Sequence, residues 1–211
     1  SYLWLFIDKK KGQLSEKELT YLQRAYVSTE RLINLVNDML NVSRIESGRL
    51  SLELKPVQIV DVLEKQVEEL MPRAQQLGLK LAFVKPPYPV PLVNADHERI
   101  EQVIINLVGN SLKFTPSGGS ISVLLKPQKK ELLVTVVDTG RGMNKEDMEK
   151  LFRKFGTMGE SYLHKQEAQG TGLGLYLSKL LVEMHGGKMW AESKGEGKGA
   201  TFNFTIPFLT H

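Results

Sequence analysis

Two glycine clusters in the second half of the sequence constrain this chain most. The first, Asp138-Thr-Gly-Arg-Gly142, follows the β-branched run Leu132–Val137, which predicts a buried strand with Asp138 at its carboxyl end. A lone carboxylate there can accept a hydrogen bond from the exocyclic amine of a purine. The second, Gly170-Thr-Gly-Leu-Gly-Leu175, opens an amphipathic helix over 173–184, whose first-turn amides favour an anion such as phosphate. Each cluster alone could be a simple turn, but together they predict two walls of one nucleotide pocket.

A helix that begins after Asp96 adds a third element. Asp96 can cap it, and Asn106, Asn110 and Lys113 recur at i, i+4 and i+7, so the three side chains share one face and can reach one ligand. A second face is apolar and carries Ile100, Val103, Ile104, Leu107 and Val108. An amide oxygen suits magnesium, which prefers oxygen donors and shares phosphate oxygens with the protein. The spacing therefore predicts a magnesium and phosphate site beside this helix.

From about Glu53 to its end, the chain resembles the ATP-binding catalytic domain of sensor histidine kinases. This domain belongs to a superfamily that includes DNA gyrase B, the mismatch-repair ATPases and the heat-shock chaperone ATPase. The matching segments, in order, are Asn106–Thr115, Asp138–Met143, Leu151–Phe155, the second glycine cluster and Gly197–Phe202. The resemblance implies an α+β two-layer sandwich and an ATP-dependent protein-histidine kinase.

The resemblance also implies a role for each matching residue. Asn110 is expected to hold Mg²⁺, Asp138 to read the adenine, Phe114 to stack on the base and Lys113 to contact a phosphate. The other nucleotide-binding positions that it implies are Asn106, Gly140, Gly142, Met143, Gly170, Thr171, Gly172, Leu173, Gly174, Leu175 and Thr201. The second cluster lacks the Gly-Lys-Ser/Thr ending of a Walker loop. Residues 156–169 would form a lid over the nucleotide, with His164 as a solvated lid residue.

Asn106 and Lys113 are the candidate catalytic residues, and Asn106 bears on the type of reaction. In hydrolysing relatives a carboxylate at the matching position orients and deprotonates water, whereas an amide cannot act as a general base near neutral pH. We therefore expect weak hydrolysis and transfer of the γ-phosphoryl group to a protein side chain. Such a transfer depends mostly on positioning and charge neutralisation.

The amino-terminal quarter predicts helices of a bundle. Ser15 and Glu18 fit a capping box. A seam spaced by fours and threes follows, made of Leu22, Tyr26, Thr29, Ile33, Val36, Leu40 and Ser43 and widened by Ala25, Leu32 and Met39. The end of this helix, before the stop at Gly48, resembles the second helix of the kinase dimerisation domain. We predict a partial dimerisation domain at residues 1–50, preceded by the tail of a first helix that ends near Lys9–Gly12, and an ATP-binding domain at residues 51–211.

The acceptor histidine of this family lies in a His-Glu-Leu-Arg-Thr-Pro-like box, and no such box occurs here. The four histidines are His97, His164, His185 and His211, all outside the predicted bundle. We expect the acceptor to lie upstream of Ser1 in a longer protein, and the chain to bind nucleotide without labelling itself. The resemblance further implies a homodimer through the bundle and relay of the phosphoryl group to a response-regulator aspartate.

Composition narrows the alternatives. The chain has 211 residues, 41% of them hydrophobic, and no cysteine, which suits a reducing, cytoplasmic location. Its net charge of +4 is scattered without interleaved aromatic residues, so we predict no nucleic-acid partner, and no membrane-spanning run is visible. Three other functions remain open: a serine kinase of the mitochondrial dehydrogenase-kinase type, a hydrolysing ATPase, and a non-catalytic ATP-binding scaffold.

The remaining pattern predicts the other elements of the sandwich. Helices are expected near 59–77 and 146–152, and Trp190 in the core. Strands are expected near 50–54, 79–84, 120–126, 131–137, 188–193 and 201–206.

Overall fold

A helical hairpin forms the start of the chain in the computed structural model, which describes residues 2–10, 12–156 and 171–209. The hairpin consists of α1 (Tyr2–Lys10) and α2 (Glu16–Glu46). The predicted capping box begins α2, since the Ser15 hydroxyl accepts from Glu18 N at 3.4 Å and the Glu18 carboxylate accepts from Ser15 N at 2.9 Å. Gly48 follows the last turn with φ of 65°, a conformation that glycine adopts without steric cost. Both predicted ends of the long helix are therefore confirmed.

Seven strands and four helices form the rest of the described chain, and five of the strands make one mixed sheet. The strands are β1 (Lys55–Val57), β2 (Lys80–Val84), β3 (Val93–Ala95), β4 (Ser120–Pro127), β5 (Glu131–Asp138), β6 (Met189–Glu192) and β7 (Ala200–Pro207). The helices are α3 (Ile59–Gln76), α4 (His97–Phe114), α5 (Lys145–Lys150) and α6 (Gly174–Met184). The sheet order is β2-β4-β5-β7-β6, in which β2 and β4 are parallel and the other neighbours antiparallel. β1 and β3 pair separately as a two-stranded ribbon.

The core lies between this sheet and α3, α4 and α6. Side chains along β4 and β5 alternate between buried and partly exposed, as expected for a sheet with one covered face. Phe204 and Leu132 from the strands, with Leu63 and Leu107 from the helices, are fully enclosed. The α+β two-layer sandwich predicted from the sequence is confirmed. The division into two domains near residue 50 stays a prediction.

Two predictions about individual elements were wrong. Residues 50–54 form no strand, because Glu53 N donates to the Asp96 carboxylate at 3.0 Å and strand pairing begins only at Lys55, opposite Ala95. Trp190 is only partly buried, because it lies on β6 at the edge of the sheet, where its indole Nε1 donates to Glu192 Oε1 at 2.9 Å.

The apolar seam of α2 is largely uncovered in the single chain. Leu32 is 61% exposed, and Ile33, Val36 and Leu40 are also exposed, whereas Val42, which is not part of the seam, is buried. Solvent-facing apolar residues in such a continuous row are typical of a helix that packs against a partner. Among the described residues, no helix is long and apolar enough to cross a membrane.

Candidate nucleotide-binding site

Helix α4 carries the predicted amide and lysine side chains, and it lies against α6. Asn106 Nδ2 donates to Ser178 Oγ of α6 at 2.8 Å. Asn110, one turn later, donates from Nδ2 to Asn106 Oδ1 at 3.5 Å. The Asp96 carboxylate caps the start of α4 by accepting from Arg99 N at 3.2 Å. The two asparagines therefore form one hydrogen-bonded row that ends on α6.

Asp138, at the carboxyl end of β5, is held by three hydrogen bonds. Its Oδ1 accepts from Gly140 N at 2.8 Å and from Ala200 N at 3.2 Å, and its Oδ2 accepts from Ser111 Oγ at 3.2 Å. The residue is only 5% exposed, and this burial raises the pKa of the carboxyl group, while the hydrogen bonds oppose the rise. Asp138 thus has a fixed orientation and is connected to α4 through Ser111.

The loop after Asp138 packs too tightly for side chains at two glycine positions. A Cβ at Gly140 would lie 2.7 Å from the carbonyl oxygen of Phe114. Gly142 has φ of 66°, and a Cβ there would lie 2.0 Å from the carbonyl oxygen of Gly195. These glycines therefore allow close backbone contacts, and that structural need alone accounts for both.

Met143 and Thr201 flank this loop. Met143 is buried, and its backbone N donates to Ser193 Oγ at 3.0 Å. Thr201 is partly buried on β7, where it pairs with Val137. Thr201 therefore lies on the strand beside Asp138, and Met143 is held to the segment that follows β6, while their roles at the adenine stay predictions.

Positive charge collects at the end of α4. Lys113 Nζ lies 4.7 Å from the centre of the Phe114 ring, and the Arg141 guanidinium carbon lies 4.2 Å from it. The pKa of Lys113 is lowered, first by burial and then by the nearby charges of Arg141 and Arg31. Such a cluster suits a polyphosphate, which would relieve the repulsion among the cations. The Phe114 ring, predicted to stack on adenine, is contacted by Arg141 in this structure.

The second glycine cluster begins α6 beside Asn106. A Cβ at Gly174 would lie 2.5 Å from Asn106 Oδ1, so this position brings the start of α6 against α4. Thr171 Oγ1 accepts from Leu173 N at 3.2 Å, while Gly172 has φ of 69°. Leu173 is buried and Leu175 packs partly buried against the core. Gly170 lies outside the described residues, as do His164 and all of the predicted lid except Gly156.

Helix α2 contacts the second glycine cluster and the start of α6. Thr171 Oγ1 donates to the Asp38 carboxylate of α2 at 3.1 Å. Near the end of α2, Glu46 accepts from Tyr176 OH at 2.8 Å and from Lys154 Nζ at 2.7 Å. A cavity of about 420 Å³ lies at this junction, lined by Met39, Val42, Ser43, Glu46, Ser47, Lys154, Phe155 and Leu173. The long helix therefore contacts the segment on which we predict phosphate binding.

The structure brings most of the predicted residues together, and it also shows that they contact residues that the sequence did not indicate. Ser111, Ser178 and Arg141 were not singled out. Arg141 stands inside the first cluster and could have been noticed there, but the two serines have no local signal. Their partners lie on distant parts of the chain.

The donor groups present fit a magnesium ion that is shared with phosphate. Within residues 2–10, 12–156 and 171–209 no cluster of three or more His, Cys, Asp or Glu side chains could hold a metal. A metal here would therefore rely on an amide oxygen, phosphate oxygens and water, a donor set that Mg²⁺ accepts and that Zn²⁺ does not favour. Asn110 is the side chain that fits this role.

Comparison with known proteins agrees with this geometry. Residues 95–210, more than half of the chain, match the family model described as histidine kinase-, DNA gyrase B- and HSP90-like ATPase. The non-motile and phage-resistance protein of Caulobacter vibrioides is 38% identical over 191 residues, covering 89% of this chain and 22% of that protein. Histidine protein kinase DivJ from the same organism is 35% identical over 198 residues, covering 94% of this chain and 32% of the kinase.

A solved structure extends the similarity to the helical hairpin. Full-length ShkA in complex with AMPPNP superposes with a TM-score of 0.78 and 28% identity, covering 96% of this chain and 41% of ShkA. The chain thus spans less than half of the length of each of these proteins. From the match over residues 95–210, the chain belongs to the histidine kinase-, DNA gyrase B- and HSP90-like ATPase family, with sensor histidine kinases as its relatives.

Proposed function

We propose that this chain is the catalytic part of a sensor histidine kinase, which binds Mg²⁺-ATP and transfers the γ-phosphoryl group to a histidine for relay to a response-regulator aspartate. The observation that carries the proposal is Asp138. It is a buried carboxylate held by two backbone amides and by Ser111, connected through α4 to the row of Asn106 and Asn110. One end of this arrangement suits a purine amine, and the other suits a metal-bound triphosphate.

In this proposal each end of the pocket has its own task. The ionised carboxylate of Asp138 accepts from the adenine amine, and Lys113 with the first-turn amides of α6 neutralises phosphate charge. Asn110 would hold Mg²⁺, which when bound offsets the charge of the phosphate oxygens. ATP binding is supported by the family match and by the AMPPNP complex of ShkA.

Asn106 favours transfer over hydrolysis. Its Nδ2 donates to Ser178 and its Oδ1 accepts from Asn110, so the amide is held in place by neighbours on both sides. An amide in this arrangement cannot remove a proton from water near neutral pH. A γ-phosphoryl group bound here would stay intact until a positioned side chain attacks it.

The exposed seam of α2 supports homodimerisation in the intact protein. Leu32, Ile33, Val36 and Leu40 present an apolar row that a second copy would cover, as in a four-helix bundle. The absence of cysteine supports a cytoplasmic location. Response-regulator binding follows from the proposed relay.

The proposal is tested by titrating the chain with Mg²⁺-ATP in a calorimeter and then offering it a separate helical segment with an acceptor histidine from the longer protein. We expect heat on ATP addition, no label on the chain alone, and acid-labile phosphate on the added segment. Acid-stable phosphate would instead indicate a serine kinase, and steady release of free phosphate would indicate an ATPase. Binding without any transfer would indicate a scaffold.

A further inference from the structure

We propose that Asp38 of α2 competes with the nucleotide phosphates for the start of α6, so that ATP binding and the docking of α2 oppose each other. The inference rests on the proposed function and adds a residue that the function does not use. Asp38 lies 133 positions before its partner Thr171 in the second glycine cluster, and it is partly buried.

Two neighbours fix the direction of the Thr171 hydroxyl. Leu173 N donates to Thr171 Oγ1 at 3.2 Å, and a backbone N–H group can only donate. On the other side, Asp38 Oδ2 lies 3.1 Å from Thr171 Oγ1, and an ionised carboxylate can only accept. The single proton of the hydroxyl therefore points to Asp38. A phosphate oxygen, which is also an acceptor, would need that same proton.

The Asp38 carboxylate lies where the fold favours a negative charge. Helix α6 begins at Gly174, and its N-cap residue Leu173 makes no side-chain hydrogen bond to the first turn. The first amides of a helix have no partner within the helix, and together with the helix dipole they stabilise a nearby anion. Asp38 thus supplies to this segment the kind of charge that we propose for the phosphates.

Two anions at this segment would repel each other. Burial raises the pKa of Asp38, although the hydrogen bond from Thr171 opposes the rise, so the carboxyl group is partly removed from water. Repulsion between like charges is stronger where water is partly excluded than in bulk solvent. A triphosphate that binds the Thr171 hydroxyl must therefore displace Asp38.

A second set of contacts joins α2 to the same helix. Glu46, two turns after Asp38, accepts from Tyr176 OH of α6 at 2.8 Å and from Lys154 Nζ at 2.7 Å. Val42 lies between the two acidic residues and is buried. The three residues follow one another at i, i+4 and i+8, so they share one face of α2. Displacement of Asp38 would therefore weaken the docking of this whole face.

The competition is tested by measuring ATP affinity by calorimetry and adenosine affinity by NMR titration, for the parent and for Asp38→Asn. The asparagine keeps the size and an acceptor oxygen but loses the charge. We expect ATP to bind roughly threefold to tenfold more tightly, because a charge-assisted bond to Thr171 is replaced by a weaker neutral one. Adenosine has no phosphate, so its affinity should not change. Asp38 is changed alone because α2 also carries Arg31, a positive charge that acts on Lys113.

Three further variants separate competition from other effects. Asp38→Ala removes both the charge and the acceptor, and it should tighten ATP binding at least as much as Asp38→Asn. Asp61→Asn removes the same charge from an exposed position on α3 and should leave the affinity unchanged. Glu46→Gln weakens the docking at its other end, and by reciprocity of the coupling it should also tighten ATP binding. Thermal melts of each variant verify that it is folded.

The movement of α2 is measured separately. Because the chain has no cysteine, spin labels can be placed on Ser28→Cys of α2 and Glu149→Cys of α5. The labelled chain is diluted with unlabelled chain so that only distances within one chain contribute. ATP should broaden or shift the distance distribution, and adenosine should not.

Each result decides a different point. Unchanged ATP affinity in both Asp38→Asn and Asp38→Ala overturns the inference and leaves the proposed function standing. Weaker ATP binding also overturns it, because Asp38 would then be part of the pocket, and so do equal gains for ATP and adenosine. A distance distribution that does not respond to ATP overturns the opposition between binding and docking. A parent chain that binds no ATP refutes the proposed function, and the inference with it.

Discussion

Replacing Asp138 by asparagine tests the purine end of the pocket while leaving its structural contacts nearly intact. Both backbone amides that hold the side chain donate to Oδ1, and an asparagine keeps that oxygen. The group that changes is Oδ2, which accepts only from the Ser111 hydroxyl among the partners given above. Because a hydroxyl can also accept, Ser111 can turn toward the new NH₂ group. We therefore expect the free energy of unfolding to change by less than about 1 kcal/mol.

The effect on ligand binding is expected to be much larger. The adenine amine is a donor and would meet the donor NH₂ group of the variant, so a charge-assisted hydrogen bond is lost. Such a bond contributes about 1.5–3 kcal/mol, which corresponds to roughly 10- to 150-fold weaker binding of ATP. Inosine triphosphate carries a carbonyl oxygen in place of that amine, so its affinity should fall less or rise. The preference for ATP over this analogue should shrink accordingly.

Calorimetry with both nucleotides, together with a thermal melt, measures these quantities. Asp61→Asn, an exposed substitution on α3, controls for the loss of one charge and should leave both affinities unchanged. Burial raises the pKa of Asp138, and the protonated acid cannot accept on both oxygens. Affinity of the parent for ATP should thus fall as the pH drops toward that raised pKa, and the variant should lack this trend. Unaltered ATP binding by Asp138→Asn would refute the assignment of the purine site.

Three further predictions concern pH, docking and the core. Burial lowers the pKa of His185 below its ordinary value of 6.5, so between the two pKa values the unfolded chain binds one more proton than the folded chain. The free energy of unfolding should therefore fall as the pH drops below about 6.5, by at most about 1.4 kcal/mol per pH unit. Denaturation of His185→Gln should lack this pH-dependent loss. Glu46→Gln should weaken the contact of α2 with Lys154 and Tyr176. The distribution of distances between spin labels on Ser28→Cys and Glu149→Cys should then broaden, and an unchanged distribution would contradict this. Leu107→Ala should cost about 2–5 kcal/mol in urea unfolding, and a loss under 1 kcal/mol would contradict the close packing of α4.

Local signals account for what could be predicted from the sequence. The capping box at Ser15, the stop at Gly48 and the strand that ends at Asp138 each depend on residues within a few positions of one another. The shared face of Asn106 and Asn110 follows from helical periodicity alone. Such features can be predicted because their positions do not depend on contacts with distant parts of the chain.

Contacts between distant segments could not be predicted in the same way. Nothing near Ser178 indicates that it faces Asn106, and nothing near Asp38 indicates that it holds Thr171. The strand expected at 50–54 is absent for the same reason, because a carboxylate from Asp96 satisfies the Glu53 amide there. In each case a contact between distant residues determined the local structure, and the neighbouring sequence did not indicate that contact.

Helix α4 connects the two ends of the candidate pocket, and this explains why the predicted variants should separate. Ser111 on one side of the helix contacts Asp138, while Asn106, more than one turn earlier, contacts α6. A change at Asp138 alters only the purine end, and a change at Asn110 alters only the amide row. A displacement of α4 itself, as in Leu107→Ala, would move both contacts because they share one rigid backbone. If ATP binding loses both its preference for the purine amine and its dependence on Mg²⁺, the cause is therefore movement of the helix rather than a defect at either end.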